Sequence, residues 1–153
     1  MARMRGFSLI ELIVVIVVMA VLVGVAVPRF FGQATFEAPA YAQELASAAR
    51  YAQKLAVISG CPVNFSVTAA GYALTQAQAT TPPCTGVLDM TLPAKHPATG
   101  ENFTSTVPTG VALGGTLGTV QFSAAGVPSA AANYSVADLS VTIAAGSGYV
   151  EVQ

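Results

Sequence analysis

Charged side chains are scarce in this sequence. Only 8% of its 153 residues are charged, and six basic residues stand against seven acidic ones, for a formal net charge of −1. A nucleic-acid-binding domain needs a basic stripe that neutralises phosphates, and the sequence has none, so we expect no nucleic-acid partner. The apolar share, 54%, is high for one modest domain, which indicates a segment that inflates it.

Groups that carry catalysis or bind metals are equally few. The single histidine, His96, has Asp89 and Glu101 near it in sequence, but no second histidine or free thiol at ligand spacing. The glycine-rich segment 107–118 contains no GxxxxGK[ST] pattern, which excludes a phosphate-binding loop. We therefore predict no metal, no cofactor and no enzyme activity.

One long apolar run near the N-terminus accounts for the excess hydrophobicity. Leu12 to Val27 contains no charged residue, and with Phe7 to Ile10 the run reaches about 21 residues, roughly 30 Å as a helix, which matches a bilayer core. Arg3 and Arg5 precede it, and positive charge is retained in the cytoplasm. The sequence thus predicts a single inner-membrane span with a cytoplasmic N-terminus and a periplasmic or external remainder.

Glu11 lies inside this run and must be explained. The run is too long for the apolar core of a secretory signal peptide, and it contains the acidic residue Glu11, which such a core lacks. An acidic side chain near the centre of a membrane helix costs on the order of 2.5–3.5 kcal/mol. Because Glu11 is only about four residues from the start of the run, its side chain could reach the interface at a lower cost.

The residues around Glu11 offer a second explanation. The stretch Arg5-Gly6-Phe7-Ser8-Leu9-Ile10-Glu11 resembles the processing motif of type IV prepilins and type II secretion pseudopilins. The resemblance implies cleavage by prepilin peptidase between Gly6 and Phe7, with N-methylation of Phe7. Removal of the leader would leave four basic against seven acidic residues, a net charge of −3.

On this resemblance Glu11 acts in assembly. The new amine of Phe7 in one subunit could pair with Glu11 of a neighbouring subunit, which relieves the desolvation cost of both charges. The partners implied are prepilin peptidase, the inner membrane, and other pilin or pseudopilin subunits bound through the N-terminal helix.

The apolar helix is followed by an amphipathic one. Pro28 cannot donate a hydrogen bond to Gly24, so we expect the helix to break at Gly24 and Pro28. From Ala40 to Ser59 apolar residues recur at helical spacing, and Gly60 ends the helix. The predicted core face consists of Tyr41, Leu45, Ala48, Ala52 and Leu55.

Beyond Gly60 the pattern alternates with the period of a β-strand. Strands are predicted at 63–68, 72–75, 119–123, 139–143 and 149–152, with turns at 69–71, 124–126 and 144–148. Residues 77–118 are irregular, and 87–92 is the one strand candidate there. Three hairpin-like turns favour antiparallel pairing. The predicted fold is α+β and type IV pilin-like, a long N-terminal helix packed on an antiparallel sheet.

Two cysteines lie in the exported part. Cys61 and Cys84 are 23 positions apart and form no CxxC motif. An oxidising compartment permits a disulfide between them, and the alternative is two separately buried thiols.

The predicted domain organisation has four parts. They are a leader at 1–6, a transmembrane and assembly helix at 7–30, a hinge with the amphipathic half of the helix at 31–60, and a β domain at 61–153.

Later segments narrow the resemblance. Residues 49–63, 120–126 and 148–152 resemble the H-type minor pseudopilins and related minor pilins, including those of mannose-sensitive haemagglutinin pili. Many major pilins bracket a C-terminal loop with their cysteines, whereas these lie early in the domain. We therefore predict a minor subunit that joins or primes a type IV pilus or a type II secretion pseudopilus. The alternatives are a major pilin and a membrane-anchored or tip-located module that binds a ligand through residues 77–118.

Overall fold

The computed structural model describes residues 8–30, 34–77, 84 and 90–153. The chain divides into two compact units after residue 33. The first unit contains helix α1, Leu9–Phe30. The second contains helix α2, Ala34–Ser59, and all the described strands, so the amphipathic helix shares its unit with the β structure.

Helix α1 differs from its prediction at the C-terminal end. It continues through Gly24 and Pro28 and ends at Phe30, so the helix does not break at either residue. Proline removes only the hydrogen bond to the carbonyl four residues earlier, and the rest of the last turns remains helical. The break predicted at Gly24 and Pro28 is therefore absent from the helix as the structure describes it.

Helix α2 begins six residues earlier than predicted. Pro39 lies inside it, in the second turn, where only the bond to the carbonyl of residue 35 is lost. The predicted face is confirmed at Tyr41 and Leu45, which are fully buried, whereas Leu55 packs at the edge of the core. Seven further buried residues of this helix are alanines: Ala38, Ala42, Ala46, Ala48, Ala49, Ala52 and Ala56. Their small side chains let the helix axis lie close to the strands.

The described strands form two antiparallel sheets where the sequence predicted one. They are β1 (Val63–Thr68), β2 (Gly71–Gln76), β3 (Leu92–Pro93), β4 (Thr104–Thr106), β5 (Leu113–Gly115), β6 (Gly118–Phe122), β7 (Ala132–Val136), β8 (Leu139–Ile143) and β9 (Val150–Val152). The first sheet has the order β3-β2-β1-β6 with β4 also on β2, and the second has the order β5-β7-β8-β9. The α+β fold class is confirmed.

The predicted turns have different outcomes. The β1–β2 and β8–β9 connections are hairpins, as expected. The turn at 124–126 also reverses the chain, because the Gly126 N–H donates to the Ser123 carbonyl and the Ser123 N–H donates to the Val127 carbonyl. It leads only to an isolated antiparallel bridge between Phe122 and Pro128, and the next strand, β7, belongs to the other sheet. Residues 87–89 of the strand candidate 87–92 lie outside the described residues.

The two sheets enclose one core against α2. Phe65 and Leu74 from the first sheet, and Tyr134, Val141 and Ile143 from the second, are fully buried in it. The rings of Phe65 and Tyr134 meet edge to face with centroids 6.0 Å apart, so the core is continuous between the sheets. The second unit therefore has a single hydrophobic core formed by its own helix and both of its sheets.

Candidate assembly site

Helix α1 presents apolar side chains to solvent along its described length. All side chains from Ser8 to Leu22 are exposed, and the large apolar ones have 43–76% of their surface accessible. Soluble monomers rarely expose an apolar patch of this extent, which marks a surface that another molecule or a membrane covers. Within the part of the chain whose side chains the structure describes, no helix is long and apolar enough to qualify as a candidate membrane span.

Ser8 begins this helix. Its hydroxyl and its carbonyl oxygen both accept from the backbone N–H of Glu11, at 3.3 and 3.1 Å. Ser8 is thus the N-cap, and Glu11 occupies the third helical position, where an acidic side chain also interacts favourably with the helix dipole. The N-cap at Ser8 was not predicted from the sequence, although Ser-x-x-Glu before an apolar run is a known signature of a capping box.

Of the predicted site residues, Gly6 and Phe7 lie outside the described residues. The structure places Glu11 on an exposed first turn. Gly24 and Pro28 lie within α1. The cleavage, methylation and pairing of these residues therefore remain predictions.

The predicted disulfide is present. Cys61 and Cys84 are bonded, with their Cα atoms 5.2 Å apart, and Cys61 is buried directly after the end of α2. Ser59 covers the helix end by accepting from the Cys61 N–H at 3.3 Å. The bridge therefore ties the segment around Cys84 to the point where α2 gives way to β1.

Polar contacts between α2 and the β structure are few and specific. The Tyr72 hydroxyl donates to Glu44 Oε1 at 2.8 Å, and burial together with this carboxylate raises the pKa of Tyr72 far above its usual range. Arg50 donates to the Val150 carbonyl at 2.9 Å. Gln53 Nε2 donates to the carbonyls of both Gly126 and Ser147, each at 2.9 Å. These contacts fix loops of both sheets against one helix.

His96 borders a cleft of about 320 Å³ between α2 and the 95–104 loop. Its Nδ1 accepts from the Ala98 N–H at 3.2 Å, and its ring lies 4.9 Å from that of Phe103. Glu44 and Glu101 also line the cleft. No group of three or more potential metal ligands occurs within the described residues.

Comparison with solved structures relates this architecture to pilin-like subunits. The minor pseudopilin EpsH from the type 2 secretion system of Vibrio cholerae matches with a TM-score of 0.54 and 15% identity, covering 76% of this chain and 96% of that one. The type IV minor pilin FimU of Pseudomonas aeruginosa matches with a TM-score of 0.54 and 12% identity, covering 75% and 91%. At these identities the likeness shows the shared fold.

Family models agree with the division of the chain. No curated protein matches the sequence. The prokaryotic N-terminal methylation motif matches residues 1–27, which include the predicted processing motif and most of α1. The model for the type II transport protein GspH matches residues 41–153, well over half of the chain. The chain therefore belongs to the GspH family of pilin-like minor pseudopilins, which are structural subunits and not enzymes.

Proposed function

We propose that this chain is a minor pilin or pseudopilin subunit that joins or primes a type IV pilus or a type II secretion pseudopilus. In this proposal prepilin peptidase cuts between Gly6 and Phe7 and Phe7 is N-methylated. Residues 7–30 hold the subunit in the inner membrane with the globular unit in the periplasm until assembly. The observation that carries the proposal is the apolar, exposed α1, most of which lies within the residues that the N-terminal methylation motif matches.

The exposure of α1 supports the proposal energetically. Burying one Val, Leu or Ile side chain contributes roughly 1.5–3 kcal/mol relative to leaving it in water. Leu9 to Leu22 holds eleven such residues: Leu9, Ile10, Leu12, Ile13, Val14, Val15, Ile16, Val17, Val18, Val21 and Leu22. Lipid covers such a helix before assembly, and the helices of other subunits cover it afterwards, so one surface serves both states.

Glu11 supplies the register in this scheme. In lipid or in a bundle of apolar helices its carboxylate is costly unless a cation is close. The amine created at Phe7 is the cation that cleavage provides, one turn from Glu11 along the sequence. A neighbour displaced along the filament axis brings its own Phe7 amine to this carboxylate, and removing one member of such a buried pair costs about 3–5 kcal/mol.

The mass of the N-terminus in membrane extracts tests processing. We expect a chain that begins at N-methylated Phe7, and we expect Gly6→Val to retain Met1 because the added side chain prevents the extended fit that glycine allows. Ala2→Val, which adds similar bulk elsewhere in the leader, is the matched control and should be processed. An intact Met1 in the parent chain, or a cut near Ala26, contradicts the proposal.

Incorporation into sheared filaments tests the role of Glu11. Glu11→Gln should be processed normally but incorporated at least about 100-fold less, which corresponds to the lower limit of 3 kcal/mol. Glu37→Gln removes an acid from the first turn of α2 and serves as the control. If Glu11→Gln enters filaments as well as the parent does, the pairing is absent.

Abundance tests the assignment as a minor subunit. We expect the chain to be scarce in sheared filaments and yet required for their formation. Deletion should abolish filaments, and a low level of the parent chain should restore them. A chain that dominates the sheared material is a major pilin instead.

A further inference from the structure

The cleft of about 320 Å³ between α2 and the 95–104 loop has no role in the proposed function. Its apolar lining comes from the rings of Phe103 and His96, whose centroids are 4.9 Å apart. Tyr51 of α2 stacks on Phe103 with centroids 4.8 Å apart, and its hydroxyl donates to the Lys95 carbonyl at 3.1 Å. The loop that carries both rings is therefore held against α2, and the cleft is preformed, as most ligand pockets are.

Two carboxylates supply hydrogen-bond acceptors to this cleft. The Tyr72 hydroxyl donates to Oε1 of Glu44 at 2.8 Å, which fixes this carboxylate and leaves its second oxygen without a donor among the described residues. The carboxylate of Glu101 has no hydrogen bond or ion pair within the part of the chain that the structure describes, although its backbone N–H and carbonyl are both bonded. No lysine or arginine lines the cleft in the described ranges. A ligand in the cleft must therefore donate hydrogen bonds to these oxygens.

The cleft also holds hydrogen-bond donors. Asn102 Oδ1 accepts from the Lys95 ammonium at 2.8 Å, so the amide presents Nδ2 as a donor that no described residue uses. His96 Nδ1 accepts from the Ala98 N–H at 3.2 Å, so the neutral ring carries its proton on Nε2 and donates there. These two contacts fix the orientation of the amide and the tautomer of the ring. Donors and acceptors of defined identity thus line the same cleft.

This mixture of donors and acceptors decides between two classes of ligand. An organic cation would pair with the carboxylates, but it would leave the Asn102 amide and the His96 N–H without acceptors, which costs free energy. A hydroxyl group both donates and accepts, so a polyhydroxyl ligand satisfies both kinds of group. A pyranose ring also carries CH groups that pack on aromatic side chains. The volume lies at the lower end of the range for ligand pockets, roughly 300–1,000 Å³, which suits a single sugar unit.

We propose that this cleft binds one pyranose unit of a neutral glycan. The carboxylates accept from the sugar hydroxyls, the amide and imidazole N–H groups donate to them, and the Phe103 ring packs on the CH groups. Every residue of the cleft lies in the second unit. The inference therefore adds a ligand to the subunit and is independent of the proposed cleavage at Gly6 and of the proposed pairing of Glu11.

Saturation-transfer NMR of the full chain tests the proposal, in a detergent that has no sugar headgroup. The probes are the neutral oligosaccharides cellotetraose and chitotetraose, with agmatine as the organic cation. We expect saturable binding of an oligosaccharide, with an affinity that stays constant between about 50 and 500 mM salt because the ligand is uncharged. Binding of chitotetraose alone assigns the site to glycans of N-acetylated sugars, and binding of cellotetraose assigns it to unsubstituted ones. Binding of agmatine alone, or of no probe, overturns the proposal.

Variants of two exposed residues test the assignment of donors and acceptors. Glu101→Ala removes an acceptor and should weaken oligosaccharide binding about tenfold, the effect of one hydrogen bond to a charged group. Asn102→Asp keeps an acceptor for Lys95 but replaces the amide donor with a carboxylate, so it should weaken binding about fivefold. Glu151→Ala, exposed on β9, is the control and should bind as the parent does.

The direction of the Asn102→Asp effect separates the two classes of ligand, because a site for a cation would bind more tightly with an added carboxylate. Unfolding midpoints measured on the same samples show that each variant is folded. Unchanged binding in both cleft variants, or tighter binding in Asn102→Asp, overturns the proposal. The N-terminal mass is measured alongside, so that loss of oligosaccharide binding in a chain that is processed normally contradicts this inference alone.

Discussion

The two helices of this protein differ in whether their apolar side chains are exposed or buried. Apart from Glu11 in its first turn, helix α1 is apolar in its described part and exposes its side chains, whereas α2 buries a stripe of alanines, Tyr41 and Leu45 inside its own unit. Both are long, with 22 and 26 residues. Amphipathic patterning lets a helix complete its packing within one chain, and uniform apolarity leaves the packing to lipid or to other chains. In the proposed function, α2 therefore stabilises the globular unit and α1 serves in assembly.

Truncation of one leucine on each helix should separate these assignments most strongly. Leu45→Ala empties a fully buried site and should lower the free energy of unfolding of the second unit by about 2–5 kcal/mol. Leu12→Ala, at a site 61% exposed, should leave that value unchanged. Urea unfolding of both full-length variants in detergent, followed by the signal of the β structure, measures the difference. Equal losses would show that α1 contributes to the stability of the globular unit.

Loss of the disulfide tests how much the bridge contributes to the stability of the second unit and whether it affects N-terminal processing. Cys61→Ser combined with Cys84→Ser frees a closed loop of 23 residues and should cost about 3 kcal/mol in the loop-entropy model. Processing depends on residues around Gly6 and should not change. Unfolding midpoints and N-terminal masses are measured on the same preparations. Loss of processing together with the bridge would mean that the two regions are coupled.

Removal of the Gln53 amide should have a smaller effect. Gln53→Ala breaks both hydrogen bonds to the loop carbonyls, and we expect a loss of about 1–2 kcal/mol in unfolding free energy. Amide hydrogen exchange should rise in residues 124–127 and 145–149 and stay constant in β1. Gln43→Ala, an exposed change on the same helix, is the control. Unchanged exchange in the loops would contradict the role of Gln53 in holding them against α2.

Alkaline pH should also weaken the second unit. Burial raises the pKa of Tyr134 to about 12, and burial together with Glu44 raises that of Tyr41 to about 12. Since the folded state holds these protons more tightly, the stabilisation is complete below pH 10 and is lost as the pH rises from 10 to 12. Neither hydroxyl has a hydrogen-bond partner among the described residues. Unfolding free energies measured at pH 7 and pH 11 give the size of this loss.

Phenylalanine variants identify the residues responsible. Tyr41→Phe and Tyr134→Phe should each be neutral or stabilising by about 1 kcal/mol at pH 7, because an unpaired buried hydroxyl is removed. Each should also reduce the loss at pH 11. Tyr149→Phe, at an exposed site, should change neither value. A parent chain equally stable at both pH values would contradict the assignment.

Much of the second unit was predictable because its periodicity is plain. The apolar spacing of α2 and the alternation of β1, β2, β6 and β8 predicted both element type and core face. Short strands without alternation, such as β3 and β5, were missed, since three or fewer residues carry no period. The division into two sheets depends on which strands pair, and pairing is a long-range property that local pattern does not encode.

The candidate site was predictable in a different way. The motif from Arg5 to Glu11 is recognisable from residue identity and spacing alone. The Ser8 cap was not predicted, although the three-residue spacing of Ser8 and Glu11 before an apolar run is typical of a capping box. The hydrogen bonds of Gln53 could not have been predicted, since Gln53 is 73 residues from Gly126 and 94 from Ser147. Only the folded chain brings these groups together.

The N-cap at Ser8 determines whether removal of the leader affects the start of α1. Both residues that define the start of α1, Ser8 and Glu11, lie on the mature side of the proposed cut. If prepilin peptidase removes residues 1–6 as proposed, the helix keeps its N-cap. The proposed incorporation into a filament then requires no refolding of the first turn of α1 after cleavage.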